Sequence, residues 1–325
     1  MKVTILDDYF DTLQSLPCFN KLDGLEVTVW NDHVQETGAL AERLKDTEAL
    51  VLFRERTSIK AQLLEMLPAL KLISQRGVYP HVDVEACTRN GVLFCSNIKG
   101  GASPHAAAEL CFGLILSALR QIPQQMAALQ NGAWQIGVGE TLHGKVLGIH
   151  SYGRIGSAVA AYGKAFGAGI LVYGGQDSCA RAHQDGYQVA SSRQAFFSEA
   201  DIVSLHVRLK PDTRSMITAA DLALMKPDAL LVNTSRAELI EVDALVNALR
   251  LGRPGMAAVD VFESEPVLNG DHALLHMPNV ICTPHIGFVT RQEFDLQFAD
   301  VFDQVVAFAN GSPINVINPE VLHRT

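Results

Sequence analysis

Short β-branched runs recur along this chain at intervals of roughly 20 residues, and that recurrence restricts the fold more than any other feature. The first series is VTIL (3 to 6), LEVTVW (25 to 30), ALVLF (49 to 53), LKLIS (70 to 74) and GVLFC (91 to 95), with the amphipathic stretches DTLQSL, GALAERLKD and KAQLLEML between its members. Alternating strand and helix patterns of this kind predict repeated βα units and a parallel sheet. A second series starts at KVLGI (145 to 149) and continues through ILVY (170 to 173), DIVSLHV (201 to 207), ALLVN (229 to 233), MAAVD (256 to 260) and NVICT (279 to 283), predicting a second parallel sheet. Between the two lies HAAAELCFGLILSALRQ (105 to 121), apolar on most faces and therefore read as a buried helix at the crossing between domains. The last helical stretch, about 290 to 309, has no strand of its own and is expected to return to the first sheet. A length of 325 residues agrees with two cores, since domains run about 100 to 200 residues each. The domains are placed at 1–99 with 288–325, and at 100–287.

Charge narrows the function classes. Lys and Arg number 26 against 35 Asp and Glu, a net −9, with no dense basic block to track phosphates or an anionic surface. Nucleic acid and membrane partners are not expected. No apolar run reaches the roughly 18 to 20 residues of a membrane helix, and MKVTILDDYF turns acidic where a signal peptide stays apolar, so a cytoplasmic location is expected. Six cysteines, at 18, 87, 95, 111, 179 and 282, show no metal or disulfide spacing and read as free thiols; no metal site is expected.

The first chemical signal follows KVLGI, where Ser151, Tyr152, Gly153, Arg154, Ile155 and Gly156 lead into the helical run SAVAAYGKAF. A tight turn at a helix N-terminus presents backbone amides and the positive end of the dipole to a pyrophosphate. The spacing is that of GxGxxG, with Ser151 in place of the first glycine. The next strand ends at LVY, followed by Gly174, Gly175 and Gln176, where a fold selective for NAD places an acid on the ribose hydroxyls. That acid is absent, and Arg181 lies several residues further on. Asp177 is expected to cap the following helix.

Three later strands present polar residues at their C-terminal ends, the edge where open parallel sheets bind ligands. VNTSRAELIE presents Arg236, AAVDVFESEP presents Glu265, and ICTPHIG presents His285. A phosphate loop, an arginine after VNxxR, DVFExEP and TPHxG, in this order and over nearly the whole chain, resemble the D-isomer-specific 2-hydroxyacid dehydrogenases. The resemblance implies a Rossmann-type nucleotide-binding domain and a discontinuous flavodoxin-like substrate domain, usually in a homodimer. It also implies hydride transfer between a nicotinamide cofactor and a small 2-oxo or D-2-hydroxy acid. On the matching positions, Arg236 would hold the substrate carboxylate, His285 would exchange the proton, and Glu265 would orient His285. These residue types suit the chemistry: a guanidinium fork matches a carboxylate, imidazole titrates near neutrality, and a carboxylate on its other nitrogen favours the charged ring. His206, Thr234, Ser235, Asp260 and Gly287 join the cofactor-binding set, with Asp260 near the nicotinamide amide.

Departures from the family pattern matter. Ala107, Ala108, Glu109 and Leu110 stand where many members have TAEL, and Arg208 stands where a proline is common. An arginine there reaches toward the adenosine side, so the reading NAD(H) or NADP(H) favours NADP(H). The family loop that cups the carboxylate corresponds to Arg76, Gly77 and Val78. Arg54 and Arg56 flank Glu55 beyond ALVLF, and if the strand continues they share a face and, with Arg76, form a basic lip for a second anionic group. A dinucleotide-sensing, corepressor-like binding protein is the alternative, and an intact Arg236, Glu265 and His285 favour the enzyme.

Overall fold

The computed structural model describes residues 1–98 and 103–323. The chain separates into two compact units, Met1–Ala102 with Thr290–Thr325, and Ser103–Val289. The boundaries read from the sequence fall a few residues short of these.

The first unit holds a sheet of five parallel strands, β1 (Lys2–Ile5), β2 (Glu26–Val29), β3 (Ala49–Val51), β4 (Leu72–Arg76) and β5 (Leu93–Asn97), in the order β2-β1-β3-β4-β5. This is the flavodoxin-like doubly wound order. Neighbouring side chains on β4 point to opposite faces. Ile73 packs with Leu40, Leu44, Leu63 and Cys87 under the short helices of one face, whereas Ser74 turns the other way and its hydroxyl donates to the Val301 carbonyl at 2.9 Å. That second face is covered by the helix Arg291–Ala309, whose Phe294 and Phe298 rings lie 5.1 and 4.8 Å from Phe53. DTLQSL is not an α-helix. The Asp8 carboxylate accepts from the amides of Thr12 and Leu13, both at 3.0 Å, and Pro17 follows, so the segment forms only the 3-10 turn Leu13–Ser15 and a second one over Pro17–Leu22.

The second unit holds seven parallel strands: β6 (Val146–His150), β7 (Gly169–Tyr173), β8 (Gln188–Val189), β9 (Ile202–Leu205), β10 (Leu230–Asn233), β11 (Met256–Val259) and β12 (Val280–Cys282). Their order, β12-β11-β10-β9-β6-β7-β8, reverses direction at β6 and β9, the Rossmann arrangement in which ligands bind at the switch point. β8 has no counterpart in the sequence reading because it is a two-residue edge strand without an apolar run. The helix His105–Leu119 packs on β10, β11 and the helix Arg154–Ala165 of its own unit, burying Cys111, Phe112, Leu114 and Ile115. All six cysteines are free. Among the described residues no single helix is long and apolar enough to cross a membrane, and none of their His, Cys, Asp and Glu side chains form a metal-binding group of three.

Candidate active site

The phosphate loop joins β6 to the helix Arg154–Ala165. Ser151 takes the left-handed conformation (φ +77°), which costs a residue with a Cβ about 1–3 kcal/mol and is sustained only by surrounding bonds. Those bonds are present. The Ser151 amide donates to the Tyr173 carbonyl at 2.7 Å, the Tyr152 amide to the Ser178 hydroxyl, and the Arg181 guanidinium to the Tyr152 carbonyl at 3.0 Å. A Cβ on Gly156 would stand 2.4 Å from the Ser151 carbonyl oxygen, so glycine is needed where helix meets turn. A Cβ on Gly153 would meet nothing within 4 Å, and no side chain caps the helix there. An open approach to an uncapped helix N-terminus fits a pyrophosphate.

Two expectations change at this loop. Tyr152 offers nothing to a cofactor: its amide and carbonyl are bonded, and its buried side chain donates to Asp185 at 2.6 Å. Arg181 is committed to the loop itself. At the ribose end Gly174, Gly175 and Gln176 close β7 and open the helix Gln176–Gln184, with Gly175 at the cap; Asp177 lies in the first turn instead. Gly175 and Gln176 are exposed, as is Arg208 on the loop after β9.

The reactive constellation stands on the loops after β10, β11 and β12. Asn233, buried at the end of β10, accepts from the Ser235 amide at 3.0 Å and donates to the Arg236 carbonyl at 2.9 Å, clamping the turn Thr234–Arg236. The Ser235 hydroxyl donates to the Leu205 carbonyl at 2.7 Å and so ties that turn to β9. Arg236 spends one nitrogen on the Ser235 carbonyl at 2.7 Å.

Asp260 is fully buried, and both of its oxygens are occupied by the protein. One accepts from the Thr283 hydroxyl at 2.6 Å and the Ile286 amide at 2.8 Å, the other from the Gly287 amide at 2.8 Å. Burial pushes its carboxyl above the usual aspartate range despite these bonds. The Gly287 amide is therefore spent on Asp260 rather than on a cofactor, and Asp260 holds the loop that carries His285, with acceptor capacity left on the oxygen that takes only Gly287.

His285 sits on that loop in the left-handed region (φ +53°), with its ring Nδ1 2.5 Å from Glu265 Oε2. Glu265 Oε1 accepts from the Phe262 amide at 2.9 Å, which fixes the carboxylate plane. Burial alone would raise the Glu265 carboxyl, but its bond with His285, the charge of that ring, the Phe262 amide and the charge of Arg236 together hold it below the ordinary range. Arg236, Glu265 and His285 thus act on one another. With Nδ1 taken by Glu265, Nε2 of His285 has no protein partner among the described residues. A guanidinium with donors in reserve, beside an imidazole with one nitrogen open and the other on a carboxylate, can grip an anion and exchange a proton with it.

In the first unit the sequence-predicted residues are spent differently. Arg76 is 8% exposed and its Nε lies 3.0 Å from the Asp300 carboxylate, while its Nη1 is buried without a hydrogen-bond partner. The Gly77 amide donates to the Asn97 carbonyl at 3.2 Å, while the Val78 amide has no acceptor among the described residues. β3 ends at Val51 and Arg54 turns into the left-handed region (φ +60°), so Arg54 and Arg56 do not share a strand face. Arg56 stacks 4.0 Å from Phe53 and 4.3 Å from Tyr9 and donates to the Asp7 carbonyl at 2.6 Å. The three-arginine lip is not formed. Asn233 was missed by sequence reasoning, and its place at a strand end was the one signal available.

A family model for the D-isomer specific 2-hydroxyacid dehydrogenase NAD binding domain matches residues 112–287. The chain belongs to this family. It is 35% identical over 309 residues to the glyoxylate reductase of Thermococcus litoralis, covering 91% of this chain and 92% of that one. It is 38% identical to the D-3-phosphoglycerate dehydrogenase of Methanocaldococcus jannaschii over 86% of this chain and 53% of that one. Among solved structures, an oxidoreductase from Ralstonia solanacearum matches with a TM-score of 0.93 at 48% identity, over 99% of this chain and 98% of that one. A phosphoglycerate oxidoreductase from Vibrio cholerae matches with a TM-score of 0.90 at 47% identity, over 96% and 99%. The 2-hydroxyacid dehydrogenase is an oxidoreductase using a nicotinamide cofactor, and these similarities give no support to the dinucleotide-sensing alternative.

Proposed function

We propose that this dehydrogenase reduces a small 2-oxo monocarboxylic acid of the glyoxylate class, with Arg236, Glu265 and His285 as its reacting set. The 2.5 Å contact between His285 and Glu265 carries this reading. A nicotinamide, when bound, would supply the hydride. Arg236 grips the carboxylate with its remaining donors, and His285, protonated and held by Glu265, gives its Nε2 proton to the carbonyl oxygen. The commitment of Arg76 to Asp300 favours a singly charged substrate over a doubly charged one. In the first unit, the Val78 amide is the group available to an anion.

The cofactor cradle is assigned to Gly153, Arg154, Ile155 and Gly156 for the pyrophosphate and to Gly175 and Gln176 for the adenosine ribose. The tilt toward NADP(H), read from Arg208, finds no support in the matching family model, which is one for NAD; we assign NAD(H). The assembly proposed is a homodimer. The helix Ile122–Gln130 buries none of its side chains, and Ile122, Met126, Leu129, Trp134, Ile136 and Val138 are all exposed. No charged residue stands between Gln121 and Gly139, so two copies of this face bring no like charges into contact.

Initial rates with NADH and NADPH against glyoxylate, hydroxypyruvate, pyruvate, phenylpyruvate, oxaloacetate and 3-phosphohydroxypyruvate test the assignment. The highest kcat/KM is expected with NADH and glyoxylate or hydroxypyruvate; a preference for the phosphorylated or dicarboxylic acid would overturn it. Gly175→Asp, at a position where a Cβ meets nothing within 4 Å, is expected to weaken NADPH further and leave NADH in use. Leu129→Glu is expected to shift the mass in solution toward the monomer.

A further inference from the structure

A line of buried polar groups runs from the crossing helix to the edge of the phosphate loop. Cys111, fully buried on the helix His105–Leu119, has its thiol 3.1 Å from the hydroxyl of Ser204, which is fully buried on the central strand β9. The Ser204 hydroxyl is in turn 2.9 Å from Nε2 of His206. At the other end the Thr234 side chain acts on the same thiol, favouring its charged form. His206 is fixed through its amide, which donates to the His150 carbonyl at 2.9 Å, and its ring Cδ2, the atom next to Nε2, lies 3.4 Å from where a Gly156 Cβ would be.

The protons in this line can be counted. Thr234, Cys111 and Ser204 carry one each, and a neutral imidazole carries one on either nitrogen. Burial holds the His206 ring neutral, down to about 3, and pushes the Cys111 thiol up to about 11, so neither changes its proton number at working pH. The Ser204 proton can go to the ring or to the sulfur. An imidazole nitrogen is a strong acceptor and a thiol sulfur a weak one. The favoured threading sends the Thr234 proton to sulfur, the thiol proton to the Ser204 oxygen, and the Ser204 proton to Nε2. The ring proton is then left on Nδ1. That nitrogen has no protein acceptor among the described residues, yet it is not sealed in as both ring nitrogens of neighbouring His150 are.

We propose that Ser204 and Cys111 are positioning residues that lock His206 in its Nδ1–H form, so that it offers a neutral N–H donor beside the phosphate loop to an acceptor oxygen of the dinucleotide. The inference rests on the assignment of this loop to the cofactor. A neutral donor there binds an oxygen without adding charge, so its contribution does not vary across the pH range in which His285 works. Thr234 and Ser235 then serve the cofactor side through the line and the turn they build.

Long-range nitrogen–proton NMR of the ligand-free full chain, with His206→Gln to assign the ring, reads the proton directly. The expected spectrum has a protonated Nδ1 and a bare Nε2. Ser204→Ala is expected to shift the ring toward the Nε2–H form and to weaken NAD+ binding by roughly two- to tenfold, the worth of one neutral hydrogen bond. Cys111→Ser, which keeps an O–H in place of the S–H, should keep the wild-type ring signature. Because Ser204→Ala leaves a small side chain on the strand, thermal melting tells a tautomer change from a folding defect, and Cys111→Ala gives a second entry to the line. A wild-type proton on Nε2 would overturn the proposal, as would Ser204→Ala with unchanged ring signals and unchanged NAD+ affinity. If the ring carries Nδ1–H but NAD+ does not perturb it, the donor role fails while the lock stands; if NAD+ does not bind at all, the cofactor assignment itself fails.

Discussion

The two parallel sheets end in the same way, with buried polar residues at strand C-termini, yet they leave different chemistry on offer. After β10 and β11, Asn233 and Asp260 use their side chains on backbone amides, a carbonyl and a hydroxyl. The loops they hold leave donors on Arg236 and the Nε2 of His285 uncommitted. After β1 and β4, Asp7, Asp8 and Gln75 do comparable holding work: Asp7 takes the Thr57 hydroxyl at 2.5 Å and the His33 ring at 2.9 Å, and the Gln75 amide donates to the Gly77 and Val78 carbonyls at 3.2 Å. There, however, the arginines are held inside their own unit, Arg56 by the Asp7 carbonyl and the Phe53 and Tyr9 rings, and Arg76 by Asp300, with its Nη1 buried and without a hydrogen-bond partner. A residue type at a strand end is therefore a poor guide to function by itself; what decides is whether the protein has already used its hydrogen bonds.

The contrast is broken most severely at Arg236. Replacing it with Lys keeps the charge and loses the fork, and kcat/KM for 2-oxo acids is expected to fall by about 2 kcal/mol or more with cofactor affinity little changed. Near-normal turnover with lost cofactor binding would assign the residue to the wrong partner. Next come the two buried aspartates as a matched pair. Asp260→Asn faces an amide N–H with an NH2 group, so about 1–3 kcal/mol of stability and most of kcat should be lost together. Asp8→Ala, which removes the acceptor of the Thr12 and Leu13 amides, should lower stability by a similar amount and leave kcat alone. Urea unfolding beside steady-state rates checks both, and equal losses of kcat in the two variants would erase the distinction between the sheets. The smallest effect on rate is expected from Arg76→Met: a lower melting temperature from the abandoned Asp300 carboxylate, with KM for glyoxylate within about twofold of wild type. A KM raised tenfold would return Arg76 to the substrate.

The same contrast explains what the sequence made legible. Ten of the twelve strands announce themselves as apolar runs because both faces of a covered parallel sheet are largely buried; the edge strand β2, with no buried residue, shows instead as the β-branched alternation of LEVTVW, and β8 escapes because two residues at an edge need no such run. DTLQSL carries a helical apolar spacing, but one upstream carboxylate, Asp8, redirects its amides. Arg236, Glu265 and His285 stand out because each follows a strand end in a fixed order. The occupation of Asp260 and of Arg76 was not legible, because the atoms that consume them, the Ile286 and Gly287 amides and the Asp300 carboxylate, are brought up by tertiary folding alone.

The coupling of Glu265 to His285 is tested most directly by pH profiles of kcat/KM in both reaction directions, for wild type and Glu265→Gln. Glu265 is held below the ordinary carboxylate range by its bond to His285, the charge of that ring, the Phe262 amide and Arg236, so the variant removes a charged partner of the ring. Reduction begins from protonated His285, so its rate falls on the alkaline side as that proton is lost; oxidation needs the neutral ring, so its rate falls on the acid side. The amide in Glu265→Gln would keep a bond to the ring without the charge. Both limbs are expected to move to lower pH in this variant. Limbs that stay in place, or move upward, would contradict the pairing and leave His285 without the partner that makes it a proton donor.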